Sequence, residues 1–450
     1  MNALAGFNRS PAVFRRLLCL LLLVAFFWTP AAPARGQEAK RRWERLAQIR
    51  RDKFDHILPQ AMRENGVDMW ITVIKEGYRD PLWLDLGQGY VGGVGYYIFT
   101  DRGAGRIERA ALGISGYLLE RSGAYDIVSG GLDLREFVAE RDPQRIGLNM
   151  SRHIGAADGL THSAYEDLVE TLGEPFASRF VSAEKLISDF RSRRVATEIA
   201  AFAEAGEISR EIAERALSNE VIVPGVTALE DVSWWVMEQL HDRGLETSFG
   251  MPSIYITGPD GIEATSNERI IQRGDLLMMD WGVGFLNMYT DMKRIAYVLR
   301  EGETEVPGGL QHAFDQGVRV REVIRKSITA GPTAGEMLER VNAALEEVGF
   351  DLMEQFNVIS NSDRTEVIIG CHSVGNLGHG IGPSIAWFNP LRLTFEIKPS
   401  NLFSIELFAY TANPDWGGAK VRIPLEDDAI VTERGVEWLY PVNERILRIR

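Results

Sequence analysis

The sequence contains little cysteine, and this limits how the chain can be stabilised. Of its 450 residues only two are cysteines, Cys19 and Cys371. If the N-terminal segment is removed on export, Cys371 remains alone, and one cysteine cannot form an internal disulfide. Stability must then come from apolar burial or from a bound metal ion.

Positive charge is also in deficit. Lysine and arginine number 49 against 63 aspartates and glutamates, which gives a formal net charge of -14. The body of the chain has no run of basic residues, and nucleic-acid binding depends on such a surface. We therefore expect no nucleic-acid partner. The length exceeds one compact core and predicts two domains after an N-terminal extension.

The N-terminal residues have the pattern of a secretory signal peptide. Three arginines precede the apolar run "LLCLLLLVAFFW", and small residues follow it at 32–36. We predict a signal peptide over residues 1–36 and an exported, periplasmic or extracellular protein. The apolar run is short for a membrane span, so no stable membrane insertion is expected after cleavage. The alternative is that the segment stays uncleaved as an N-terminal anchor.

The remaining chain divides by pattern into two parts. Residues 37–190 alternate strand and helix patterns, which predicts an α/β domain. Residues 191–450 contain a weak repeat, since Gly225 and Gly331 each begin a Gly-x-Thr that precedes an amphipathic helix, 106 residues apart. The threonines are predicted N-caps. The repeat indicates two related halves that face each other across a shared site.

Two aspartates lie on a predicted hairpin within "GDLLMMDWGVGFLNMYTDMKRIAYVL". A two-residue turn at 285–286 would place Asp280 directly opposite Asp291. Two facing, buried carboxylates repel each other unless a cation lies between them, and a divalent metal ion is the simplest solution. The alternative is a bulge that turns one aspartate to solvent.

Further candidate ligands follow. Glu406 lies within the apolar segment "SIELF", where a lone glutamate is rarely buried unless paired. Glu426 ends another strand, although a solvated edge is the alternative there. His379 lies in the glycine-rich "LGHGIG", whose backbone can approach a bound ion closely. Two aspartates, two glutamates and a histidine can hold two divalent ions and activate a water molecule between them.

These motifs resemble a known family. "MMDWGVGFLNMYTDMKR", "GHGIG", "SIELF" and "VRIPLEDDAIVTERG" are similar to segments of the pita-bread metallopeptidases, which include aminopeptidase P, prolidase and creatinase-like relatives. The resemblance implies an α/β creatinase-like N-terminal domain over 37–190. It implies an α+β pita-bread catalytic domain over 191–450, with a curved antiparallel sheet, outer helices and two pseudo-symmetric halves.

The resemblance also implies a role for each candidate. Asp280 would bind one metal ion, Asp291 and Glu426 would bridge two, and His379 and Glu406 would bind the second. Glu406 would in addition act as general base towards the attacking water. Of the divalent ions that such oxygen-rich ligation accepts, Mn is preferred over Co, Zn or Fe.

Two positions depart from the family pattern. Many relatives carry a histidine twelve residues before the Gly-Asp that precedes the first metal aspartate, where this chain has Glu263. Many carry another seven residues after the metal histidine, where counting from His379 gives Ala386. His372 is a candidate catalytic replacement for one of them, and the alternative is a structural histidine in the core.

The expected function is that of an exported dinuclear-metal hydrolase that cleaves an amide bond near a peptide N-terminus, with Xaa-Pro substrates. Because of the two departures, one alternative is a hydrolase or lyase acting on a small non-peptide compound. A metal-free binding module is the third alternative. The expected partner is a peptide or small amide, and the resemblance also allows a homodimer.

Overall fold

The structure, a computed structural model, describes residues 35–131, 133–356, 362–378 and 380–450. Leu46–Arg450 form one compact unit. The predicted signal peptide falls on residues outside the described ranges, apart from the first two residues of the first helix. Among the helices that are described, none combines the length and apolarity needed to cross a membrane.

The described helices share amphipathic patterns that bury one face against a sheet or a neighbouring helix. Those before residue 195 are α1 (Arg35–His56), α2 (Leu58–Glu64), α3 (Trp83–Leu86), α4 (Tyr117–Arg121), α5 (Leu134–Ala139), α6 (His162–Leu172) and α7 (Glu184–Ser192). Those that follow are α8 (Ala196–Ala216), α9 (Leu229–Arg243), α10 (Gly308–Ser327) and α11 (Ala334–Glu347).

The first sheet is mixed and belongs to the N-terminal part of the chain. Its strands are β1 (Met69–Lys75), β2 (Val94–Asp101), β3 (Ile107–Leu112), β4 (Ile127–Ser129), β5 (Ile146–Leu148) and β6 (Phe180–Ser182). They lie in the order β4-β3-β2-β1-β5-β6. β2 pairs antiparallel with both β1 and β3, whereas β5 and β6 pair parallel. The α/β character predicted for this region is confirmed.

The remaining strands build the second part of the chain. They are β7 (Glu246–Thr247), β8 (Ser253–Gly258), β9 (Gly261–Glu263), β10 (Leu276–Trp281), β11 (Val283–Phe285), β12 (Met288–Tyr289), β13 (Met292–Val298), β14 (Asp351–Leu352), β15 (Glu366–Ile369), β16 (Cys371–Ser373), β17 (Ser384–Ile385), β18 (Leu402–Ser404), β19 (Leu407–Ala412), β20 (Lys420–Leu425), β21 (Asp428–Thr432), β22 (Gly435–Trp438) and β23 (Leu447–Ile449). One group has the order β23-β13-β10-β8-β9 with β12-β11-β7, and the other has β14-β15-β19-β20 and β17-β16-β18-β21-β22.

The two halves predicted from the repeat have matching backbone contacts. The amide of Gly225 donates to the carbonyl of Ile271, and the amide of Gly331 donates to the carbonyl of Ile397. Both glycines have positive φ, 83° and 110°, which favours glycine there. Each turn therefore joins the start of a helix to a later segment of its own half in the same way.

The N-cap prediction is confirmed in one half only. Thr333 caps α11, because its hydroxyl accepts from the amide of Glu336 while the Glu336 carboxylate accepts from the amide of Thr333. Thr227 lies one position too early, since α9 begins at Leu229 and its N-cap is Ala228. The Thr227 hydroxyl instead accepts from the amide of Val223 and steadies the preceding turn.

Candidate metal centre

Asp280 lies on β10 and faces Lys293 on β13, rather than Asp291 as the sequence predicted. The predicted turn is one residue too early, because the turn residues are Leu286 and Asn287 and Phe285 still pairs with Met288. Both turn residues have positive φ, 53° and 62°, as a two-residue hairpin turn of this hand requires, and asparagine tolerates that conformation well. This shift places a lysine opposite the first aspartate.

The ammonium group of Lys293 contacts three carboxylates. Its Nζ lies 3.2 Å from Oδ2 of Asp280 and 2.8 Å from Oε1 of Glu406, and it also donates to Oε2 of Glu426. An ammonium group has three N–H donors, so each donor has one carboxylate partner. The side chain is only 8% exposed. Lys293 therefore neutralises part of the buried negative charge that the sequence analysis assigned to metal ions alone.

A second group of side chains could hold an ion. Ligand atoms of Asp291, His372 and Glu426 lie within 4.8 Å of one another, and all three residues are buried. The Nε2 atom of His372 is 3.8 Å from Oδ2 of Asp291 and 3.4 Å from Oε1 of Glu426. Ligands about 2.0–2.2 Å from a common ion are roughly 3–3.5 Å apart, so only small adjustments are needed.

The orientation of His372 suits a ligand role. His372 lies on β16 opposite Ser404 of β18. Its Nδ1 is 3.1 Å from the carbonyl oxygen of Ser373, which is an acceptor for the Nδ1 proton. Such a hydrogen bond fixes the tautomer and leaves Nε2 facing the carboxylates. His372 therefore belongs to the candidate metal centre and is not only a structural histidine of the core. His379 lies outside the described residues.

Glu426 belongs to three consecutive acidic residues with different partners. Glu426 is 1% exposed and points into the centre, so the solvated-edge alternative is wrong. Asp427 bonds Arg294 at 2.8 Å and Arg321 at 3.1 Å. Asp428 accepts from the amide of Asp291 at 3.1 Å. The contacts of Asp427 and Asp428 fix the backbone that directly follows Glu426.

Glu406 occupies the break between β18 and β19. Its carbonyl accepts from the amide of Gly370 at 3.0 Å. A Cβ on Gly370 would lie 2.6 Å from Oε2 of Glu406, closer than real contacts allow. The glycine therefore leaves the space through which the Glu406 side chain reaches Lys293, and Oε2 lies 3.8 Å from Nε2 of His372.

We expect Gly370→Ala to displace the Glu406 carboxylate and lower kcat by about 10- to 100-fold, since a misplacement of about 1 Å can cost that much. Steady-state kinetics would measure it, and thermal unfolding would report any loss of stability. Gly308→Ala is the control, because a Cβ there meets nothing within 4 Å. Unchanged kinetics in Gly370→Ala would contradict the positioning of Glu406 by Gly370.

Burial and charge shift the acid–base equilibria of the centre. Burial raises the pKa of Asp280 to about 7 and also raises the pKa of Glu406. Burial opposes ionisation of Glu426 as well, but the charge of Lys293 holds the pKa of Glu426 well below its usual range. Burial alone would lower the pKa of His372, yet contact with Glu426 and the charge of Asp291 raise it to about 9.

These residues fit one divalent ion, and an ammonium group lies among the other carboxylates. Asp291, His372 and Glu426 offer mixed oxygen and nitrogen ligation at suitable separations. Between Asp280, Glu406 and Glu426, the Lys293 ammonium already takes the position that an ion bound by the same oxygens would need. Lys293 lies within the motif "MMDWGVGFLNMYTDMKR", but this role was not predicted from the sequence.

The structure also answers the bulge alternative and locates the two positions that depart from the family pattern. Asp280 is 24% exposed and Asp291 7%, and neither is turned out to solvent by a bulge. Glu263 lies on exposed strand β9, where its carboxylate bonds Arg269 at 2.6 Å. Ala386 is fully buried. Glu263 therefore has the contacts of a solvated surface residue.

A small cavity adjoins the candidate ligands. Asp291 and His372 line it together with Ser248, Phe249 and Asn376. Its volume of about 20 Å³ is enough for about one water molecule beside the candidate ligands.

Comparison with known proteins gives a consistent result. The family model described as metallopeptidase family M24 matches residues 200–433. Among the curated proteins compared, none matches this chain. The chain is similar to the X-Pro aminopeptidase from Thermotoga maritima MSB8, with a TM-score of 0.62, 16% identity and coverage of 86% of this chain and 99% of that chain.

Two other solved structures are similar over comparable lengths. The Xaa-Pro dipeptidase from Bacillus anthracis gives a TM-score of 0.59 at 21% identity, covering 89% of this chain and 99% of that chain. The prolidase from Pyrococcus horikoshii OT3 gives 0.57 at 17% identity, covering 86% of this chain and 98% of that chain. At these identities the likeness establishes the pita-bread fold.

Proposed function

The chain belongs to metallopeptidase family M24 and is a metallopeptidase-type hydrolase with the pita-bread fold, and from this premise we propose that it is an exported aminopeptidase or dipeptidase of Xaa-Pro type. It would cleave an amide bond near the N-terminus of a peptide. The observation that carries the proposal is the buried Asp291–His372–Glu426 group with the Glu406 carboxylate beside it.

Asp291, His372 and Glu426 would hold a divalent ion. When bound, such an ion lowers the pKa of a water molecule and polarises a carbonyl oxygen, which are the requirements of amide hydrolysis. Mn is our preferred ion, with Co, Zn or Fe as alternatives, because carboxylates with one imidazole suit these metals. The sequence motifs imply two ions, and the contacts of Lys293 favour one.

Glu406 is suited to carry the proton of the attacking water. Burial raises the pKa of its carboxyl group above the usual value, which makes it a stronger base than an exposed glutamate. Oε1 bonds the Lys293 ammonium at 2.8 Å, which leaves Oε2 for the water. The same carboxyl group can then return the proton to the leaving amine.

The spacing of two histidines supports a peptide substrate. His379 follows His372 by seven residues, which is the interval at which relatives carry a second histidine after the metal histidine. If His372 is the metal ligand, the position seven residues later is His379 and not Ala386. One of the two departures from the family pattern then disappears. Only Glu263 then departs from the family pattern, which weakens the small-molecule alternative.

We also propose that the chain is exported. The proposal rests on the arginines, the apolar run and the small residues of segment 1–36. Sequencing the N-terminus of the protein recovered from its host would test it. A mature N-terminus between residues 33 and 37 is expected, whereas an intact Met1 would support the uncleaved anchor.

The proposed activity is tested by loading the purified protein with Mn and assaying Xaa-Pro dipeptides and longer peptides with proline in second position. We expect turnover that a chelator abolishes and added Mn restores. The same peptides with alanine in place of proline are the matched control substrates. A fully loaded protein that cleaves small amides and leaves every peptide intact would overturn the proposal.

A further inference from the structure

We propose that Lys293 replaces one of the two metal ions of the centre, so that the chain binds a single divalent ion at Asp291, His372 and Glu426. The inference deepens the proposed function and rests on it. It concerns how this chain differs from the dinuclear arrangement that its sequence motifs imply.

The contacts of Lys293 match those of a cation bound between carboxylates. Asp280, Glu406 and Glu426 each contribute one oxygen to the Nζ atom, and no N–H donor is left over for a fourth partner. An ion bound by these same oxygens would have to lie at the position of Nζ. The two cations therefore exclude each other.

The lysine is held in place by its backbone as well as by its charge. Its amide donates to the carbonyl of Glu426 at 3.1 Å, and its Cα is paired with Asp280 across the hairpin. The side chain is 8% exposed, and Nζ lies 5.7 Å from the ring centre of Phe408. Moving the ammonium away would separate it from its three partners and leave three buried carboxylates without their shared cation.

The charge of the centre supports the same conclusion. Asp280, Asp291, Glu406 and Glu426 carry four negative charges when ionised, which two divalent ions alone would neutralise. With Lys293 present, one divalent ion and the ammonium already supply three positive charges. A second ion would leave the buried centre with a surplus of positive charge. Without the lysine, two ions are the balanced state.

The test compares metal stoichiometry in the wild-type protein and in Lys293→Met, which keeps the apolar stem and removes the charge. After saturation with Mn and removal of free metal, elemental analysis should give one ion per wild-type chain and two per Lys293→Met chain. Lys420→Met is the matched control, because Lys420 is also buried and bonds Glu366 at 2.6 Å outside the centre. It should keep one ion.

A wild-type chain with two ions or none, or a Lys293→Met chain that holds no more than the wild type, would overturn the inference. If Lys293→Met fails to fold, electron paramagnetic resonance of the Mn-loaded wild type decides. The spectrum of an isolated Mn ion is expected, and an exchange-coupled pair would overturn the inference. Neither readout needs turnover, so a failure here is distinct from a failure of the proposed peptidase activity.

Discussion

Replacing His372 with alanine is expected to abolish tight binding of the divalent ion and, with it, nearly all hydrolytic activity. His372 supplies the nitrogen ligand of the Asp291–His372–Glu426 group. Changes to residues that only orient a ligand cost roughly 10- to 100-fold in metal affinity. Loss of the ligand itself should cost at least as much, measured by isothermal titration with Mn.

The pH dependence of binding gives a second readout of the same variant. Without metal, contact with Glu426 and the charge of Asp291 outweigh burial and hold the pKa of His372 at about 9, so the imidazole is protonated at neutral pH. An ion must displace that proton, and affinity should therefore rise with pH until about 9. His372→Ala should lose this part of the pH dependence.

Two histidine variants serve as comparisons. His312→Ala removes an exposed imidazole on α10 and should bind metal as the wild type does. His379→Ala tests the ligand that the sequence analysis favoured. If His379→Ala loses the ion and His372→Ala retains it, the assignment of His372 is wrong.

Changing Glu406 to glutamine should lower kcat by about 10²- to 10⁴-fold, the usual contribution of a general base. Glutamine has nearly the same shape and cannot accept a proton from water at this position. We expect metal stoichiometry to stay as in the wild type, because Asp291, His372 and Glu426 remain. Steady-state kinetics and elemental analysis together separate loss of the base from loss of the ion.

Glu366→Gln is the matched control for this variant. Glu366 is also buried and bonds a buried lysine, Lys420, but it lies outside the centre. Any general effect of removing a buried charge should appear in both variants, and the loss of kcat should appear only in Glu406→Gln. A loss of kcat below tenfold would remove Glu406 from the role of base.

The sequence predicted the fold and most of the carboxylates, because apolar periodicity and family motifs report on burial. It named the histidine that faces them, His372, as a candidate catalytic residue and gave the role of metal ligand to His379. "GHGIG" matches the family motif closely, whereas "CHSVG" around His372 matches it poorly, although His379 lies seven residues further on. The strand pairing of His372 with Ser404, which sets its direction, is a long-range contact that no local pattern contains.

The hairpin register shows a different limit. A shift of the turn by one residue changes which side chains oppose each other, and the deciding signal was the asparagine at 287. The role of Lys293 could also have been predicted from the sequence. Residues two apart on a strand share a face, and Asp291 was already assigned to the site. A charged residue in such a position indicates a salt bridge within the site.

The anchoring of residues 426–428 has a consequence for motion in the enzyme. Because the side chains of Asp427 and Asp428 are fixed directly after Glu426, this side of the centre is expected to stay immobile during turnover. Any adjustment to peptides of different size is then expected on the other side of the centre, where the more accessible carboxylates, Asp280 and Glu406, lie. Changes in substrate selectivity would accordingly arise by exchange of residues on the side of Asp280 and Glu406, while residues 426–428 stay constant.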